Sequence, residues 1–272
     1  MCKPIIKWVG GKRQLINELK SLMPKKYNRY IEPFIGGGAL FFELKPENAI
    51  INDYNIELVN LYKVVKNEPE ALINDINKHK NESEYYYNMR ALDRDKKKFK
   101  KLTEAERASR FIYLNKTGFN GLYRVNSKGE CNVPFGRYKN PNYCVSENIY
   151  ACSDLLKRTE IISGDFEIIK DKLQKGDFVY FDPPYVPLTA TASFTSYTEK
   201  GFDENMQLRL RELCDYIDEI GAYFMLSNSY TDFILELYKV DGYNIHTVKA
   251  TRSVNCNGNR RGKVKEVIVT NY

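Results

Sequence analysis

The sequence predicts an α/β fold: a mostly parallel sheet with helices on both faces, interrupted by a helical and β-hairpin insertion. Three observations predict it. Short apolar, β-branched or aromatic runs end in an acid or a glycine turn around Glu32, Asp53, Asp165 and Asp182. These runs alternate with stretches of helical spacing, the rhythm of a parallel sheet. Between residues 62 and 150 the rhythm stops, and helices give way to a glycine-rich, aromatic and basic stretch. The expected division is a discontinuous domain, 1–61 and 151–272, around an inserted subdomain, 62–150.

In chain order, Lys3 to Lys12 leads into Gly10-Gly11-Lys12. That triplet lacks the leading glycine and the following Ser or Thr of a P-loop, which excludes that nucleoside-triphosphate site. The only tryptophan, Trp8, stands beside it, as core anchor or as stacking platform. Gln14 to Leu22 reads as an amphipathic helix stopped near Pro24. Tyr30 to Gly38 reads as strand and glycine turn, then a helix over Ala39 to Leu44; glycines there let a backbone approach a ligand. Ala49 to Asp53 is a second strand ending in an acid. Asp53 lies about twenty residues past Glu32, a spacing at which acids meet ribose hydroxyls; a helix N-cap is the plainer role. Residues 56–115 read as helices, with Tyr85-Tyr86-Tyr87 packing between them.

Leu122 to Val125 and Glu130 to Val133 flank Asn126-Ser127-Lys128-Gly129, a hairpin signal. Phe119, Arg124 and Arg137 stand among its glycines, a texture suited to a DNA groove, although a hairpin that only packs on its own domain has the same pattern. A strand at 160–163 then ends in Asp165-Phe166, a pair able to hold an adenine amine and ring. Thr189 to Tyr197 reads as an irregular loop over a site. A helix at 204–219, a strand at 223–227, a helix at 231–238 and strands near 243–249 and 264–270 complete the sheet. Lys249 to Lys265, with six basic residues and no acid, is a second phosphate-contact candidate.

Composition narrows the function classes. The net charge is +7, and 62–150 holds 18 Lys and Arg against 11 Asp and Glu, while the remainder holds 24 against 24. The whole excess sits in the insertion, which should face a polyanion; the lysines of 96–101 alone fit a solvated helix. Mean hydropathy is −0.52 and no long uncharged apolar run occurs, so neither a membrane span nor a signal peptide is expected. Six scattered cysteines without a CxxC pair, and only His79 and His246, argue against zinc and for reduced thiols in the cytoplasm.

The most informative stretch is Asp182-Pro183-Pro184-Tyr185, directly after the apolar run Phe178 to Phe181. Two prolines cannot continue a ladder, so Asp182 stands at a strand's carboxyl end in a rigid corner. An exocyclic aromatic amine is a poor nucleophile because its lone pair is delocalised into the ring. A carboxylate and a backbone carbonyl can accept its two N–H groups and draw that pair out of plane. Tyr185 offers a face on which a base stacks.

Taken with Trp8-Val9-Gly10-Gly11-Lys12, Glu32-Pro33-Phe34-Ile35-Gly36-Gly37-Gly38, Asn120 to Arg124, Asn132 to Tyr138 and Thr191 to Thr195, this corner resembles the Dam-like DNA adenine-N6 methyltransferases, in the motif order of the alpha class. The resemblance covers nearly the whole chain. It implies a Rossmann-like methyltransferase sheet with S-adenosylmethionine as donor and no metal. By position it implies cofactor contacts at Trp8, Lys12, Glu32, Phe34, Gly36, Gly38, Asp53, Asp165, Phe166 and Asp182. It implies a catalytic corner at Asp182, Pro183, Pro184 and Tyr185. It implies DNA contacts at Lys7, Phe119, Asn120, Arg124, Pro134 and Arg137, within 62–150 as target-recognition subdomain apart from Lys7. The expected partner is double-stranded DNA at GATC, with a restriction endonuclease of the same system as functional counterpart. Gly37 stands where several relatives have alanine, and Phe119 where some have tyrosine. The corner would serve any planar exocyclic amine, so cytosine N4 and RNA stay open as acceptors, beside a non-catalytic DNA-binding module.

Overall fold

The computed structural model describes residues 2–185, 202–251 and 263–272. The expected loop at 189–197, the Thr191 to Thr195 motif and most of the basic 249–265 stretch lie outside these residues. Among the described residues seven strands form one sheet: β1 (Tyr30–Glu32), β2 (Ala49–Asp53), β3 (Thr159–Ser163), β4 (Phe178–Phe181), β5 (Tyr223–Ser229), β6 (Asn244–Thr251) and β7 (Lys263–Thr270). Their spatial order is β3-β2-β1-β4-β5-β7-β6. Strands β3 to β5 in that order pair in parallel, and β7 inserts antiparallel between β5 and β6. The direction of winding reverses between β1 and β4, and the carboxyl ends of such strands flank a crevice.

The described helices in chain order are α1 (Ile16–Leu22), α2 (Ala39–Leu44), α3 (Ile56–Asn67), α4 (Pro69–Ile76), α5 (Ser83–Ala91), α6 (Lys96–Phe99), α7 (Glu104–Thr117), α8 (Ser146–Lys157), α9 (Glu204–Glu219) and α10 (Asp232–Leu237). Strand alternation sorts side chains onto two faces. Tyr30, Ile51, Phe178, Tyr180 and Met225 join the apolar cluster under α1 to α5, α7 and α8. Ile31, Ile50, Val179, Phe181, Phe224 and Leu226 join the cluster under α9 and α10. Both faces are covered, which is why β4 reads as an unbroken apolar run. Caps set the helix starts where the sequence offers them. Asn55 accepts from the amides of Glu57 and Leu58 at α3, Thr103 and Glu106 form a capping box at α7, and Asp203 caps α9.

Three local expectations change. The helix expected over Gln14 to Leu22 is a 3₁₀ turn over Lys12–Gln14 followed by α1 from Ile16. The hairpin has no continuous ladder, only bridges at Val125–Cys131 and Gly118–Phe135. Across the turn, the Asn132 amide donates to the Arg124 carbonyl at 3.0 Å and the Asn126 amide to the Glu130 carbonyl at 2.9 Å, and the returning limb bonds to helix side chains as well. Asp93 accepts from the Cys131 amide at 2.8 Å, Arg94 donates to the Cys131 carbonyl at 2.7 Å, and Arg90 and Tyr86 donate to the Val133 carbonyl at 2.9 and 3.0 Å. Backbone groups satisfied in this way need no partner strand. Finally, α3 and α8 straddle the expected boundaries at 61/62 and 150/151, and one apolar cluster draws residues from both sides.

Candidate active site

The strand β4 delivers Asp182 to the crevice, and the two prolines turn the chain there. The Lys12 ammonium lies 2.7 Å from Asp182 Oδ1. It also donates to the Gly10 carbonyl at 2.9 Å and sits 4.5 Å above the Tyr185 ring. Burial pushes the Asp182 carboxyl up, and Lys12 draws it back down. Tyr185 donates to Glu266 Oε2 at 2.9 Å. Gln207, fully buried, donates to the Pro184 carbonyl at 3.4 Å and accepts from Asn228 at 3.0 Å. The corner is thus held through its carboxylate, its ring hydroxyl and one carbonyl.

At the neighbouring strand ends, Asp53 accepts from the Gly36 amide at 3.0 Å and the Asn55 amide at 2.9 Å. Asn55, not Asp53, caps α3; Asp53 braces the glycine turn. Burial pushes its carboxyl up to about 6. Tyr62 donates to the Gly36 carbonyl at 2.7 Å. Gly36 has φ 45°, and a Cβ there would stand 2.6 Å from the Trp8 ring, so the turn requires glycine. Trp8 fills that space and stacks toward Phe111 and Tyr123 at 6.2 and 6.5 Å. It joins the glycine turn to Phe111 of α7 and to Tyr123. Glu32, almost fully buried, accepts from the Tyr30 hydroxyl at 2.7 Å. Burial raises its carboxyl far above the ordinary range, and the charges of Asp182 and Asp53 add to that.

Phe34 lies against Phe166 at 5.4 Å and Phe202 at 5.7 Å. Phe166 is 3% exposed and has the Arg209 guanidinium 5.2 Å over its ring. Asp165 accepts from the Glu167 amide at 3.1 Å and from Arg209 at 2.9 Å. Gly38, with φ 66°, begins α2.

A second group collects around residues 115–137. The Asn115 side chain bonds both backbone groups of Lys7, at 3.0 and 2.8 Å, and the Gly121 carbonyl at 3.1 Å. It ties the N-terminal segment to the turn carrying Phe119 and Asn120. Phe119 is 52% exposed, its amide donating to the Pro134 carbonyl at 2.8 Å. Asn120 and Arg137 both adopt left-handed backbone, with φ 57° and 54°, a conformation costly outside glycine and often kept at functional turns. Arg124 is exposed and donates to Asn132 Oδ1 at 2.8 Å. Lys7, Phe119, Asn120 and Pro134 are thus tied to one turn pair, with Arg124 and Arg137 further along its two limbs.

Sequence reasoning missed Tyr62, Asn115, Gln207, Asn228 and Glu266. A signal existed for some. Asn228 and Glu266 are polar residues in strands whose neighbouring positions, Leu226 and Val267 to Val269, are apolar and buried, and a polar group there demands a partner. Among the described residues no cluster of His, Cys, Asp and Glu could hold a metal, and no helix is long and apolar enough to cross a membrane.

Comparisons with known proteins identify the family. The family model described as D12 class N6 adenine-specific DNA methyltransferase matches residues 8–254. The chain is 51% identical over 274 residues to the type II methyltransferase M1.LlaDCHI of Lactococcus lactis subsp. cremoris, covering 99% of this chain and 95% of that one. It is 43% identical over 290 residues to the type II methyltransferase M.MjaIII of Methanocaldococcus jannaschii, covering 99% of each. It is 36% identical over 273 residues to the DNA adenine methylase of Haemophilus influenzae, covering 98% of this chain and 92% of that one.

Proposed function

The chain belongs to the D12 class N6 adenine-specific DNA methyltransferases, and from that premise we propose that it everts an adenine from a GATC duplex and methylates N6 using S-adenosylmethionine. The observation that carries the reading is the Asp182 corner, braced by Lys12 in the crevice between β1 and β4. When bound, the cofactor supplies a methyl group on a cationic sulfonium. The residues present fit it. Buried Glu32 and half-buried Asp53 and Asp182 form an acidic group in which the charges of the two aspartates raise Glu32, and a cation relieves that repulsion. The Asn52 side-chain oxygen, beside the glycine turn, is buried with no hydrogen-bond partner among the described residues, an acceptor for a ligand donor. Trp8, Lys12, Glu32, Phe34, Gly36, Gly38, Asp53, Asp165, Phe166 and Asp182 would hold the cofactor.

The Pro184 carbonyl is engaged by Gln207, so we assign the Asp182 carboxylate and the Pro183 carbonyl as acceptors of the two N6 hydrogens. They localise the amine lone pair, and Lys12 opposes the upward push of burial on the Asp182 carboxyl. Tyr185 supplies the stacking face. Eversion costs a few kcal/mol, offset by stacking and phosphate contacts. Residues 62–150 serve as the target-recognition subdomain. Phe119 fits a wedge, and Lys7, Asn120, Arg124, Pro134 and Arg137 fit groove and backbone contacts. The type II names of two relatives support a role beside a restriction endonuclease. The test is incubation with labelled donor and plasmid, followed by digestion with nucleases that read methylation at GATC. Wild-type protein should label adenine and change GATC cleavage. Asp182→Ala should do neither while keeping its fold; near-normal turnover by that variant refutes the assignment.

A further inference from the structure

The hydroxyl of Tyr185 is turned away from the corner, toward the neck of the β6–β7 pair. It donates to Glu266 Oε2 at 2.9 Å. Glu266 is held in β7 by pairing with Ser229 on one side and Val248 on the other. Its side chain therefore starts from a backbone fixed on both flanks. Tyr185 lies four residues beyond the last residue of β4, Phe181. Two prolines stiffen the backbone before it, but they leave the ring's own torsions open. The Glu266 carboxylate restrains them, and the Lys12 ammonium lies 4.5 Å over the ring. Burial and the carboxylates of Asp182 and Glu266 raise the phenol far above its ordinary range, so the hydroxyl stays protonated and donates.

We infer that Glu266 is a positioning residue for methyl transfer: it fixes the Tyr185 ring in the plane on which the target base stacks. The inference rests on the reading of Tyr185 as that stacking face. Glu266 touches neither donor nor base in this scheme; it acts through the phenol.

A double-mutant cycle tests it, using full-length protein and duplex substrate in single-turnover methylation. Glu266→Leu should slow transfer about ten- to a hundredfold, the size of one lost buried hydrogen bond. Donor and DNA dissociation constants should stay within about threefold, since neither ligand contacts Glu266. Glu266→Gln keeps an oxygen acceptor and should restore the rate. Tyr185→Phe should match Glu266→Leu, and the double variant should be no slower than either single one. If Glu266→Leu slows the Tyr185→Phe protein as much as it slows wild type, the inference fails. If Glu266→Leu has no effect while Tyr185→Ala is inactive, the inference fails and the stacking reading stands. If Tyr185→Ala is fully active, the stacking reading itself falls, and the inference with it.

Discussion

At the scale of single residues, the site is built from acids placed where water is scarce. Asp53 accepts two backbone amides, which lower its carboxyl, but burial outweighs them and brings it to about 6. Protonation thus begins close to neutrality. For the proposed cofactor, whose ribose hydroxyls would donate to this carboxylate, affinity should weaken as pH falls through about 6. Above that pH the carboxylate is charged and its hydrogen bonds are the stronger kind. Titration calorimetry between pH 5 and 8 checks this; a flat profile means that Asp53 does not receive the donor. Asp182 differs because Lys12 opposes its desolvation. Lys12→Met should therefore reduce transfer more steeply at low pH than at high pH, since the unpaired carboxyl then protonates more readily. A pH–rate profile parallel to wild type counts against that role.

At the scale of elements, the hairpin proposed for recognition is held by helices as well as by its own few backbone bonds. Asp93 is the pivot. It accepts from the Cys131 amide at 2.8 Å and pairs with Arg110 at 2.7 Å, and Arg110 is 1% exposed. Asp93→Ala leaves a buried guanidinium unpaired, at a cost of about 3–5 kcal/mol, and frees the returning limb. Denaturant unfolding should show that loss, with DNA affinity falling alongside it. Arg124 is exposed and bonds only another side chain of the hairpin, Asn132, among the contacts described. Its alanine variant should change stability by less than about 0.5 kcal/mol yet lose discrimination between sites. Local signals foresaw the turn at Asn126 to Gly129, because that chemistry is short-range. They could not foresee that Tyr86, Arg90 and Arg94 would replace a partner strand, because those residues arrive from about forty positions upstream.

At the scale of the whole molecule, charge and burial set the response to solvent. The basic excess of 62–150 predicts steep salt dependence of DNA binding. Neutralising Lys96, Lys97 and Lys98 should leave the slope of log K against log salt unchanged, since α6 is exposed and capped by Asp95. Replacing exposed Arg137 should reduce that slope by about one. Acid acts through His79, which is 7% exposed between Tyr85 and Ser109 and is pushed by burial down to about 4. Its folded pKa lies below the unfolded 6.5. The stability of the neutral form is therefore complete above about 6.5 and is lost as pH falls toward about 4, by up to about 3 kcal/mol. Urea unfolding of wild type and His79→Gln across that window should show the extra slope in wild type alone.

The sequence by itself determined the class and the family. Strand runs, glycine turns and the Asp182 corner are local patterns, legible without knowing which segments they pair with. It also located the acids, because a strand that runs into proline or glycine must leave its last side chain at the sheet's edge. The tertiary structure alone decided how those acids are held. Lys12 meets Asp182, Tyr62 meets Gly36, Gln207 meets Pro184 and Glu266 meets Tyr185 only because the sheet order sets β1, β4, β5 and β7 side by side. Such pairings join residues far apart in the chain, and one sequence carries periodicity but no distances between its segments.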